Sequence, residues 1–209
     1  MKVAVSFLKS KYDTAKTIEL INNTDADYIH VDIMDGKFVE NTTMQYNDLK
    51  DILKTSKTKL DVHLMVENPI DYILDYKNLN PKYITIHREI SKNIDNLIDL
   101  IHSYKIGAGI SINPNTDVSK IEKYLGKVDN VLIMSVEPGK GGQKFNESIL
   151  PKIYELIKLR EKNNYKYVIS IDGGINDTTI SRVKDVDFII SGSYICMSEN
   201  YQDNINKLR

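Results

Sequence analysis

Two histidines and two aspartates, His30, Asp32, His63 and Asp172, stand at the ends of three short apolar runs. Imidazole and carboxylate donors suit a single divalent cation, and a set of four can complete its coordination. His30 and Asp32 are two residues apart, so on a β-strand both side chains leave the same face. Two carboxylates at one site can also move a proton, one accepting it and the other returning it. Taken singly, each piece is ordinary. A His-x-Asp pair on a strand is usually structural, and Asp172-Gly173-Gly174 reads as a turn. Taken together, buried charges need partners, and one cation at a shared mouth accounts for all four.

For these residues to meet, the chain must bring distant segments to one place. Short β-rich runs recur along it: Val3–Ser6, Tyr28–Asp32, Lys59–His63, Tyr83–His87, Ala108–Ile112, Val131–Ser135, Tyr167–Ile171 and Phe188–Ser191. Amphipathic segments alternate with them. Ile94, Leu97, Ile98 and Ile101 keep helical spacing, as do Ile149, Ile153, Leu156 and Ile157. Asn68-Pro69 reads as a helix start, and Asn176-Asp177 as the cap of another short helix. Eight such units in 209 residues predict the α/β class and a small (β/α)8 TIM barrel, with residues 1–209 as one domain. An open doubly wound sheet is the competing arrangement, and no Gly-x-Gly-x-x-Gly follows the first strand to support it.

In a barrel the chemistry sits at the C-terminal ends of the strands. Ser6, His30, Asp32, His63, His87 and Asp172 all fall there. His87 lacks a second ligand beside it and is expected to support or pack, and His102 to lie on a helix surface. Met34, Met65 and Met134 stand at strand ends, where they fill gaps or form an apolar wall around a reactive intermediate. Three glycine-rich loops follow the last three strands: Gly139, Lys140, Gly141 and Gly142; Gly173 and Gly174; and Gly192 with Ser193. Glycine lets backbone N–H groups approach an anion closely, so the three together favour a phosphate grip.

Composition narrows the partners. A net charge of -1 with interleaved lysines and acids gives no sign of nucleic acid. No apolar run reaches membrane-spanning length, and the short N-terminal apolar stretch is no signal peptide. One cysteine, Cys196, excludes an internal disulfide, fits a reducing compartment and reads as a packing residue. The expectation is a cytoplasmic protein acting on a small molecule; a homo-oligomer is compatible with the sequence, which leaves the oligomeric state open.

At these residues the chain resembles the ribulose-phosphate 3-epimerase family. The matching segments are His30–Gly36, Asp61–Val66, Val136–Gly139 with Gly141–Phe145, Asp172–Gly174 and Ser191–Ser193. The resemblance implies a metal-dependent epimerase of a ketopentose phosphate, D-ribulose 5-phosphate to D-xylulose 5-phosphate in the pentose phosphate pathway. It further implies His30, Asp32, His63 and Asp172 as ligands of one divalent ion (zinc, iron, manganese or cobalt), and Asp32 and Asp172 as the acid/base pair. Ser6 and His63 would touch substrate, and the three glycine loops would hold its phosphate. One aspartate would take the C3 proton, acidified by the C2 carbonyl, and the other would return a proton to the opposite face.

Three positions depart from the family pattern. Val5 stands where proline is usual, Glu40 replaces proline in Phe38-Val39-Glu40-Asn41, and Lys140 replaces phenylalanine after the sixth strand. The last two bear on lid closure and substrate choice. A similar family acts on allulose 6-phosphate, and Asp61–Val66 suits either sugar. An orotidine-phosphate-type decarboxylase would need Asp-x-Lys-x-x-Asp, where this chain has Asp61-Val62-His63. A phosphosugar-binding protein without turnover is the reading from another class, and the intact set of four ligands argues against it.

Overall fold

The computed structural model describes residues 1–90 and 92–209. Eight parallel strands close into a barrel in sequence order: β1 (Lys2–Ser6), β2 (Tyr28–Met34), β3 (Lys59–Met65), β4 (Tyr83–His87), β5 (Gly107–Ile112), β6 (Asn130–Met134), β7 (Val168–Asp172) and β8 (Phe188–Ser191). All eight β-rich runs of the sequence are strands. β2 and β3 run two residues further than their patterns indicate, because Met34 pairs with Met65 and extends the ladder.

Strand side chains alternate between two environments. Those pointing outward are aliphatic, such as Val31, Val62, Ile86, Ile110, Ile133 and Ile171, and they pack under the helices as one large cluster. Those pointing inward form a separate small cluster that includes Tyr28, Tyr83, Leu132, Met134, Phe188 and Ile190. Tyr28 lies 5.3 Å from Phe188 and 6.1 Å from Tyr83, ring centre to ring centre. These rings come from the first residues of their strands (β2, β4 and β8), so they plug the N-terminal end of the barrel. Above the plug a polar belt crosses the interior: Ser170 donates to Asn130 at 2.9 Å, and Asn130 to Thr85 at 3.4 Å. The site sits above that belt.

The helices are α1 (Thr14–Asn22), α2 (Tyr46–Leu53), α3 (Pro69–Tyr76), α4 (Ile94–Ser103), α5 (Leu150–Asn163), α6 (Ser193–Cys196) and α7 (Tyr201–Lys207). Asn93 caps α4 by accepting from the Asn96 N–H, and Ile94, Leu97, Ile98 and Ile101 form its buried face. α3 starts at Pro69 as expected, although Asn68 makes no side-chain cap. The helix expected after Asn176-Asp177 is absent. Asn176 instead accepts from the Thr178 and Thr179 N–H groups and closes a turn, followed only by a 3-10 turn at Ile180–Arg182. A side chain that satisfies a turn competes with helix formation. The connection after β5 is likewise reduced to two 3-10 turns, which fits so short a chain. No helix of the described residues is long and apolar enough to cross a membrane.

Candidate active site

His30 and Asp32 leave β2 toward the barrel axis, with Asp61 and His63 beside them on β3. Register makes the pairs: His30 lies opposite Asp61, and Asp32 opposite His63. Asp172 ends β7, which is reached from β2 by way of β1 and β8, so it comes from a distant part of the barrel wall. One ligand atom from each of His30, Asp32, His63 and Asp172 lies within 4.8 Å of the others.

Each member is held from behind. His30 Nδ1 sits 2.7 Å from Asp61 Oδ2, which leaves Nε2 facing the cluster. That nitrogen is buried, 3.3 Å from Asp32 Oδ1, yet without a hydrogen-bond partner. A buried nitrogen without a hydrogen-bond partner beside a carboxylate suits a metal ligand. Asp32 accepts from the Ser6 hydroxyl at 2.7 Å through Oδ2, and its Oδ1 lies 3.2 Å from His63 Nδ1. His63 Nε2 meets His87 Nε2 at 2.8 Å, and His87 Nδ1 meets Glu89 Oε2 at 3.2 Å. Glu89 is fixed in turn by the Asn113 N–H and the Thr116 hydroxyl. With His63 Nδ1 free for an ion, its Nε2–H donates to His87, whose Nδ1–H donates to Glu89. Histidines that bind metals are oriented by such partners. The donor set and its supports therefore fit one divalent ion.

The electrostatics separate the two acids. Burial alone would raise Asp32, but His30 and His63 outweigh it and hold that carboxyl well below the usual range. Asp172 is pushed up to about 7, first by burial and then by the charge of Asp32. Burial works to lower His30, but Asp32 and Asp61 overcome it and raise the imidazole well above its ordinary value. Burial lowers His63 and takes His87 down to about 4.

Asp32 and Asp172 line a cavity of about 760 Å³. Its walls include Ser6, Met34, Met65 and Met134, and its rim carries Gly139, Lys140, Gly141, Gly142, Gly173, Gly174, Gly192 and Ser193. The acid pair, the methionines and all three glycine loops thus share one space. His30 and His63 are fully buried beneath it. Gly173 and Gly174 take φ of 117° and 65°. A Cβ on Gly174 would stand 2.3 Å from the Phe145 nitrogen, so only glycine lets the loops after β6 and β7 meet. Ser135 ties the same two loops by donating to the carbonyls of Asp172 and Gly173.

Residues 2–196 match the profile of the Ribulose-phosphate 3 epimerase family. The chain belongs to that family. It is 41% identical over 203 residues to a protein of Helicobacter pylori named ribulose-phosphate 3-epimerase, covering 96% of this chain and 93% of that one. A Bacillus subtilis protein of the same name is 34% identical over 213 residues, covering 100% and 98%. Among solved structures, 3-hexulose-6-phosphate synthase from Salmonella typhimurium superposes with a TM-score of 0.72 at 15% identity, over 100% of this chain and 96% of that one, a likeness of fold.

Two supporting residues escape the sequence reading, and a third, His87, supports as expected. Asp61 and Glu89 receive no role there, and His87 no specific partner. Asp61 is two residues before His63, so alternation puts both on the inner face of β3 without naming the partner of Asp61, and Glu89 lies in the turn past β4, outside that pattern. His102 lies on the surface as expected and bonds Asp129 at 2.7 Å. Cys196 is buried, with its thiol pushed up to about 12 by burial, as suits a packing residue.

Proposed function

We propose that this barrel is a metal-dependent 3-epimerase of a 2-ketose phosphate, converting D-ribulose 5-phosphate to D-xylulose 5-phosphate in the pentose phosphate pathway. The observation that carries the reading is the single cavity joining two aspartates of opposed ionisation to three glycine loops. The family and the names of its members support the substrate.

In the metal-free chain Asp32 is held ionised and Asp172 is pushed up to about 7; with an ion bound, one aspartate would take the C3 proton and the other would return one to the opposite face. In the reverse direction the roles exchange. Because the two come from β2 and β7, a sugar carbon between them is reached from two sides, as inversion requires. Ser6 keeps Asp32 aimed by its hydrogen bond. Met34, Met65 and Met134, all buried, exclude water from the charge that forms on the sugar. His30, Asp32, His63 and Asp172 would hold a zinc, iron, manganese or cobalt ion, a Lewis acid toward the oxygens on which that charge develops. Positioned acid/base groups supply ~10²–10⁴-fold, so geometry and charge stabilisation carry the rest.

Gly139–Gly142, Gly173-Gly174 and Gly192-Ser193 would bind the phosphate through their backbone N–H groups. The reading takes residues 1–209 as one domain in the cytoplasm and calls for neither a nucleic-acid nor a membrane partner. A coupled assay on ribulose 5-phosphate and on allulose 6-phosphate tests it. The pentose is expected to have the higher kcat/KM. A preference for the hexose would move the substrate to allulose 6-phosphate, and binding without turnover of either would make the protein a phosphosugar binder.

A further inference from the structure

Lys9 follows β1 by three residues, and β1 pairs with β8, so the segment carrying Lys9 leaves the barrel beside the loop after β8. Its side chain crosses to the loop after β6. A Cβ on Gly141 would lie 3.2 Å from Lys9 Cβ, and one on Gly142 would lie 2.8 Å from Lys9 Nζ. The ammonium therefore rests over the bare α-carbon of Gly142, whose φ of 78° also favours glycine. Lys9 lines the same cavity as Asp32 and Asp172.

Of the three other cations of that cavity, two already have partners, and the third, Lys144, makes no ion pair or side-chain hydrogen bond among the described residues. Arg182 pairs with Glu147, and Lys140 with Glu40 at 3.5 Å. Lys9 makes no ion pair or side-chain hydrogen bond among the described residues. A long lysine usually reaches for solvent or an acid; this one lies along a glycine loop at the rim of a cavity. A phosphate monoester carries close to two negative charges at neutral pH and offers three acceptor oxygens.

We infer that Lys9 is a specificity residue that binds the phosphate monoester of the substrate, adding a side-chain cation to the backbone grip of Gly141 and Gly142. The inference rests on the phosphosugar reading given above. Lysine serves as a compact point charge for phosphate, and three rotatable donors let it follow the group as the loops settle.

The test compares wild type, Lys9→Gln and Lys9→Arg, each metal-loaded, by steady-state kinetics on ribulose 5-phosphate and by calorimetric titration with inorganic phosphate. Lys9 is exposed, so neither change disturbs the core. Lys9→Gln is expected to raise KM and the Kd for inorganic phosphate in parallel, each about tenfold, with kcat nearly unchanged. Lys9→Arg is expected to recover most of both. Unchanged KM and Kd in Lys9→Gln would overturn the inference, as would a fall in kcat with KM intact. Wild type that binds phosphate through Lys9 yet turns over no sugar would remove the functional reading and leave the inference standing.

Discussion

His87 Nε2 touches His63 Nε2 at 2.8 Å on the buried side of the barrel wall, and Glu89 takes the far nitrogen of His87. The contact leaves Nδ1 as the only His63 nitrogen available to an ion. Glu89→Gln breaks the fixed donor order of this chain without opening a cavity. It is expected to weaken metal binding by about 10–100-fold, read by competition with a chromophoric chelator. Unaltered affinity would show that His63 needs no orienting partner.

Loading the site must displace protons. In the metal-free chain His30 is raised well above its ordinary value by Asp32 and Asp61, and Asp172 stands at about 7. Both must lose their protons to become ligands, so binding is predicted to release roughly one to two protons per ion at neutral pH. Because protons compete for the same atoms, affinity falls as pH is lowered. Calorimetric titration in two buffers of different ionisation enthalpy measures the release; identical heats would contradict it.

Glu40 and Lys140, two of the departures from the family pattern, face each other across the mouth at 3.5 Å. Beside them Asn41 donates to the Gly139 carbonyl at 2.8 Å, so the loops after β2 and β6 already touch. Lys140 is 63% and Glu40 89% exposed, which makes the pair weak and open to screening by salt. Glu40→Gln and Lys140→Gln are expected to couple by less than about fivefold in kcat/KM, and the coupling to vanish at high salt. A larger or salt-independent coupling would mean that the pair closes over the substrate out of water.

The aromatic plug under the site holds the barrel shut. Phe188 is 1% exposed, lies tilted against Tyr28 and stacks parallel to Tyr83. Phe188→Ala is expected to cost about 3–5 kcal/mol in chemical denaturation. A loss below ~1 kcal/mol would mean that the ring contributes little there.

The barrel was legible because outward-facing Val, Ile and Leu mark every strand, and His30, Asp32, His63 and Asp172 were legible because charged residues interrupt that pattern on its inner face. What escaped depends on neighbours. Asp61 serves His30 through strand register, and His87 reaches His63 across β3 and β4; no spacing along one run encodes either. Asn176 carries the same cap signal as Asn93, but tertiary context turned one into a helix start and the other into a turn. Lys9 looked like any surface lysine until the fold set it over Gly142.

The account stands most directly on hydrogen exchange at C3. Wild type, Asp32→Asn and Asp172→Asn, each shown by metal analysis to be loaded, are incubated with ribulose 5-phosphate in deuterated water, and epimerisation is followed with deuterium entry at C3. Wild type is predicted to place deuterium in the product, and each variant to lose at least about 100-fold in turnover. Near-normal turnover in either loaded variant would contradict the two-aspartate account.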